Sequence, residues 1–243
     1  MPPELKHHAS GTLPVVAALA GAAGFVDAFV FQRVTPVFIA NMSGNLVRLG
    51  MSAGVHDGRQ AAAALVALTG FAAGVAAGAI RLDRHVRFER PLDPSSLLFG
   101  EAGLLTLLAL IVRLAHIKYS PTTAAADYPV ILIGAAAMGL QAIALRRVGQ
   151  VAVSTTYGTG AVVRLSEKAA LALRQTPRPN DHRRRTSIAI LATVLLSYVA
   201  GAFTAASASA NPLLLFIPAA VSLACAIERR RYYVMTHATD ITE

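Results

Sequence analysis

FIANMSGNLV, residues 38–47, is a polar knot in an otherwise apolar chain. Asn41, Ser43, Gly44 and Asn45 all weaken a helix that the flanking residues would continue. Ser43 is a good N-cap residue and Gly44 disfavours helix continuation, so a new helix is expected from the motif, over 43–56. A bare helix start exposes N–H groups and a partial positive charge. Inside a bilayer such a break is tolerated only when it is buried in protein or faces water. The knot therefore matters only if the chain crosses a membrane.

Composition says that it does. Of 243 residues, 55% are hydrophobic and 14% are charged, against about 25% charged in an ordinary soluble domain. A bilayer core takes about 20 mostly apolar residues per helix. Six stretches qualify: 13–32, 60–80, 97–117, 129–147, 187–207 and 212–228. The first has a leader-like start, but its apolar run continues to Phe31 and reads as a span. The expected fold is an all-α, polytopic transmembrane helix bundle.

The net charge of +9 sits in the connections. RLDRHVRFERPLD (81–93), RQTPRPNDHRRRTS (174–187) and ERRRYYVMTHATDITE (228–243) are basic, whereas KYSPTTAAADYP (118–129) holds one lysine and SASANP (207–212) holds none. Positive loops stay in the cytoplasm, so both termini are expected there. This distribution favours a lipid bilayer as partner and argues against nucleic acid. The connection 33–59 fits less well, because it carries Arg33, Arg48 and Arg59 on the outer side.

The second half repeats the first. MSGNLVRL (42–49) aligns with GTGAVVRL (158–165), and LTGFAAGVAAG (68–78) with LLSYVAGAFTA (195–205). GFVDAFVFQRV (24–34) aligns with AMGLQAIALRRV (137–148) after a one-residue shift that pairs Asp27 with Gln141. Each unit holds three spans, so the second copy enters from the opposite side, a 3+3 inverted repeat of the kind found in secondary transporters. The organisation expected is a tail at 1–12, a three-helix unit at 13–117, a loop at 118–128, a second unit at 129–228 and a basic tail at 229–243. Thr159 and Gly160 repeat the corner and predict a second discontinuous helix over 159–173.

Two such corners, meeting near the midplane, would hold a small solute. Asn41, Asn45 and Arg48 are spaced to share a face, and the second copy offers Tyr157 and Arg164. Helix starts and arginines together favour an anion or a carboxylate-bearing compound. The bland reading is a turn outside the membrane with Arg48 as a snorkelling anchor. Asp27 lies within the first span, where an unpaired carboxylate is costly. It reads either as a proton or cation coupling group or as an ion-pair partner of Arg48 or Arg33. Glu101, one turn inside the third span, reads as a snorkelling residue. The substrate-binding set expected is Asp27, Asn41, Ser43, Gly44, Asn45, Arg48, Gln141, Tyr157, Thr159, Gly160 and Arg164.

Other classes are weaker. The seven histidines are scattered, mostly in loops and tails, and no pair has metal-ligand spacing within a span. Neither a catalytic set, a metal nor a cofactor is expected, which disfavours a lipid-modifying enzyme. Cys225 reads as helix packing. Gly70, Gly74 and Gly78, echoed by Ser197, Gly201 and Ala205, form small-residue faces for close helix approach, within the chain or across a homodimer. A membrane scaffold or sensor without flux is the alternative to a transporter or channel.

GFVDAFVF, NMSGN, GLQAIALRRV and STTYGTGAVVRL together resemble the YoaK-like family of uncharacterised bacterial membrane proteins, over roughly 13–227. The resemblance implies a multi-pass inner-membrane protein and no settled substrate. It also implies Gln-Asn-Ala in the fourth span, where this chain has Gln141, Ala142 and Ile143.

Overall fold

The computed structural model describes residues 3–87, 95–117, 119, 121–148, 158–173 and 181–238. Its elements are α1 (Pro3–Arg33), α2 (Met42–Gly54), α3 (Gly58–Arg87), α4 (Ser95–Leu114), α5 (Asp127–Val148), α6 (Gly158–Leu173), α7 (Asp181–Ser207) and α8 (Phe216–Ala238), the last preceded by a 3₁₀ turn at Pro212–Leu215. Among the described residues, six helical stretches are long and apolar enough to cross a membrane: Leu13–Arg33, Gly58–Arg84, Ser95–Leu114, Asp127–Arg146, Thr186–Ser207 and Pro212–Val234. They coincide with the six expected spans. The helix of the last span runs on through the basic stretch to Ala238, so 229–238 is helical and not a loose tail.

Large apolar side chains point outward as a lipid-embedded bundle requires. Leu196 and Phe203 on α7 are each 70% exposed. The interior is packed in two main clusters. Phe29, Val30, Ile39, Leu108, Met138 and Leu215 belong to one, and Val15, Leu19, Leu97, Leu98, Leu145 and Leu191 to the other.

Two helix crossings organise the bundle, α1 on α7 and α3 on α5. Both depend on missing side chains. A Cβ at Gly24 would run into the backbone carbonyl of Tyr198, and one at Gly201 into that of Gly21. In the other crossing, a Cβ at Gly139 would strike the carbonyl of Phe71, and one at Gly74 that of Ala136. Gly70 and Gly78 also face α5, against Leu132 and Ile143. The small-residue faces are thus consumed within the chain. A homodimer through them, one of the sequence expectations, has no free surface there.

The two crossings share a pattern of glycine contacts. Gly24 against Tyr198 corresponds to Gly139 against Phe71, and Gly201 against Gly21 to Gly74 against Ala136. In that register Asp27, three residues after Gly24, corresponds to Ala142, three after Gly139. The pairing of Asp27 with Gln141 is corrected by one residue.

α1 ends because Pro36 lacks an N–H and pushes Thr35 out of helical geometry. Asn41 then caps α2, its Oδ1 accepting from the Gly44 amide at 3.2 Å and from the Ser43 hydroxyl at 2.8 Å. The cap lies two residues before the expected Ser43, because an Asn side chain reaches the third amide of the new helix. The helices predicted at the two motifs are present as α2 and α6.

Candidate functional site

Asp27 lies six residues before the end of α1 at Arg33, about 9 Å along the axis at 1.5 Å per residue. Segment 34–41 folds back to that depth and brings three successive amides onto the carboxylate. Ile39 N and Ala40 N each donate to Oδ1 at 2.7 Å, and Asn41 N donates to Oδ2 at 3.0 Å. Tyr198, from α7, donates its hydroxyl to Oδ2. Asp27 is 2% exposed. Four donors to one ionised group are the condition under which a buried carboxylate is tolerable without a cation.

The returning segment is clamped on its other side. Asn45 Nδ2 donates to the Phe38 carbonyl at 2.6 Å, and Phe38 N donates to Asn45 Oδ1 at 3.1 Å. Phe38 stacks on Phe31, with ring centroids 4.5 Å apart. Arg48 lies over the Phe31 ring at 5.6 Å and donates from Nη2 to Gln60 Oε1 at 3.0 Å. Gln60 continues to the Pro121 carbonyl at 2.8 Å. The Thr35 and Thr123 hydroxyls share a hydrogen bond of 3.1 Å. Arg33 donates to the carbonyls of Ala206 and Ala208. Arg33, Thr35 and Gln60 thus gather the end of α1, the start of α3 and the α4–α5 and α7–α8 connections at one end of the bundle.

Several expectations change here. The helix start expected to be bare is capped, Gly44 N donating to Asn41 Oδ1, and the three amides just before it, 39–41, are taken by Asp27. Asp27 pairs with neither Arg48 nor Arg33. Asn41, Asn45 and Arg48 do not share a solute-facing surface: Asn41 caps, Asn45 turns into Phe38, and Arg48 lies on Phe31.

The second corner is different. Tyr157 lies outside the described residues. Thr159 and Gly160 are in the first turn of α6, and Arg164 is exposed on that helix. Ala161, aligned with Asn45, packs into the cluster of Val15, Leu19 and Leu98, whereas Ile39 and Ala40 pack into the other cluster. The two corners therefore sit in different halves of the bundle, as their connectivity requires: α2 joins the ends of α1 and α3, and α6 the opposite ends of α5 and α7. They do not come together at the midplane.

Gln141 donates from Nε2 to the Leu19 carbonyl at 2.7 Å, which ties α5 to α1, and its Oε1 is buried without a partner. Glu101, expected to snorkel, is 0% exposed. Its Oε1 accepts from Ser222 of α8 at 2.7 Å, and Oε2 is buried without a partner. Position near a span end favoured snorkelling; the crossing of α4 by α8 closes over the side chain instead. Tyr198 and Ser222, both distant in sequence from the carboxylates they serve, are the functional residues that sequence reading misses.

The chain matches the family described as a protein of unknown function, DUF1275, over residues 15–227. It belongs to that family. The chain is also similar to UPF0700 transmembrane protein YoaK of Bacillus subtilis (strain 168), with 28% identity over 186 residues, 76% of this chain and 79% of that protein. No solved structure matches. The similarity to a protein named as transmembrane and the six apolar helices agree that this is an integral, multi-pass membrane protein, as the resemblance implied.

Proposed function

We propose that this DUF1275 protein is a secondary transporter, or a channel, for a small solute across the bacterial inner membrane. Its two three-span units are inverted copies with both termini in the cytoplasm. The matched glycine contacts of α1 on α7 and α5 on α3 support the repeat, and the basic loops support the orientation.

The observation that carries the transport reading is Asp27 held by three backbone amides within a membrane-spanning helix bundle. Three amides converging on one point make an anion site. Here the protein fills that site with its own carboxylate. A solute bearing a carboxylate or similar anionic group takes the same donors when Asp27 is protonated and swings away. This preserves the anionic preference and moves the site from a meeting of two corners to the first corner alone. An intramembrane ionisable group is expensive to keep and points to a pathway.

The test is uptake into proteoliposomes over a broad panel of small anions, with and without a proton gradient. Flux that Asp27→Asn abolishes supports the reading. No flux for any compound removes it.

A second reading is favoured by the completeness of the Asp27 shell: a membrane scaffold or sensor, with the returning segment as a rigid structural device. Copurification of a partner together with silent flux would select it.

A further inference from the structure

The transport reading uses Asp27 and leaves a second buried carboxylate without a task. Glu101 is 0% exposed, one of its oxygens has a single donor and the other has none. An ionised carboxylate in that position would lack the shell of donors that Asp27 has, and burying a charge without compensation is far more costly than burying a neutral acid.

Two helices and a 3₁₀ turn pack on α4, which carries Glu101. From α8 come Ser222, which donates to it, and Cys225, three residues farther along. α5 passes at about the level of Gln141, since Gly100 packs against Leu140; the Gln141 side chain itself turns to the Leu19 carbonyl of α1. Gln141 Oε1 is a second acceptor at that level with no donor. The 3₁₀ turn before α8, which also packs on α4, holds only proline and leucines. No cationic side chain pairs with Glu101 among the described residues.

An excess of acceptors over donors calls for a positive ligand. A metal cation needs several oxygens and room for its shell. Among the described residues no group of three His, Cys, Asp or Glu side chains gathers to hold one, and both unpaired oxygens are closed to water. A proton needs neither space nor further ligands. We propose that Glu101 is an intramembrane proton-binding site, with Ser222 donating to Oε1 and the proton carried on Oε2. Resting on the transport reading, it is a coupling-proton site, additional to the protonation that frees the amides at Asp27.

The experiment is an infrared pH titration of the full chain in lipid nanodiscs, comparing wild type with Glu101→Gln, Ser222→Ala and Asp27→Asn. A protonated-carboxyl stretch is expected that Glu101→Gln removes, that Asp27→Asn retains and that disappears as pH rises. Ser222→Ala should move this band to higher frequency, because its carbonyl oxygen loses a donor; this readout stands even if Glu101→Gln fails to fold. Absence of any carboxyl band sensitive to Glu101 or Ser222 from acid to alkaline pH overturns the proposal. For any solute that proves to be transported, Glu101→Gln should abolish proton-driven accumulation and spare solute counterflow; unchanged accumulation overturns the coupling role. Silent flux for every solute would count against transport alone, since the infrared band decides proton binding separately.

Discussion

The Tyr198 hydroxyl donates to Asp27 across the α1–α7 crossing, and the register-equivalent residues of the other crossing are Phe71 and Ala142. The α1–α7 crossing carries both partners of a polar pair, and the α3–α5 crossing carries neither. Donor and acceptor are present or missing together, as the cost of an unpaired buried group demands. The asymmetry assigns the ionisable corner to the first unit.

Removing the carboxylate should therefore destabilise more than removing the hydroxyl. Asp27→Ala strands three amides and a phenol, each costing about 1–3 kcal/mol when buried without a partner. Tyr198→Phe removes one donor from a shell of four and should cost about 1.5–3 kcal/mol. In the Asp27→Ala background the phenol is already stranded, so Tyr198→Phe should recover up to about 1–3 kcal/mol there. Thermal unfolding in detergent, read as a double-mutant cycle, checks this; additive losses would show that the two residues do not share one interaction.

Asn45 predicts a different signature. It holds Phe38 by both backbone groups, so Asn45→Ala should free the returning segment without removing the Asp27 shell. Amide hydrogen exchange at 37–41 should accelerate while the α3 and α5 amides stay protected. Leu65→Ala, a 52% exposed position on α3, serves as the control that leaves 37–41 unchanged.

The glycines divide into two classes with opposite predicted signs. At Gly24, Gly74, Gly139 and Gly201 a Cβ meets backbone of the crossing helix. Alanine there forces the helices apart, at a cost of about 1–3 kcal/mol or more. Gly50 lies in α2, and a Cβ added there would meet nothing within 4 Å, so Gly50→Ala should stabilise by up to about 1 kcal/mol. Melting temperatures in one detergent compare all five. A stabilising Gly74→Ala would mean that α3 and α5 do not approach as described.

The six spans are legible because lipid-facing and buried positions are both apolar, so hydropathy needs no partner to be read. The corner is legible because Pro36, Asn41 and Gly44 act through local geometry. What holds the corner is not, because Asp27 finds Tyr198 171 residues away, and only the crossing of α1 and α7 brings them together. Glu101 misleads for the same reason: one turn from a span end looks wet until α8 covers it. The glycines of the two crossings are visible in the sequence, but which glycine meets which carbonyl is not.

Orientation gives the last prediction. Hydrogen bonds from Arg33 to Ala206 and Ala208, and from Gln60 to Pro121, gather the ends of α1 and α7, the start of α3 and the α4–α5 connection at one end of the bundle. If basic loops face the cytoplasm, that end faces outward. Single cysteines at Thr122 and Ser209, both exposed, should react with a membrane-impermeant thiol reagent in intact cells. Cysteines at Asp83 and Arg230, exposed near the other end, should react only after the membrane is opened. Cys225 is buried and is replaced by alanine to clear the background. Labelling of all four in intact cells, or of Thr122 and Ser209 on opposite sides, would contradict six spans with both termini inside and would remove the inverted arrangement of the two units with it.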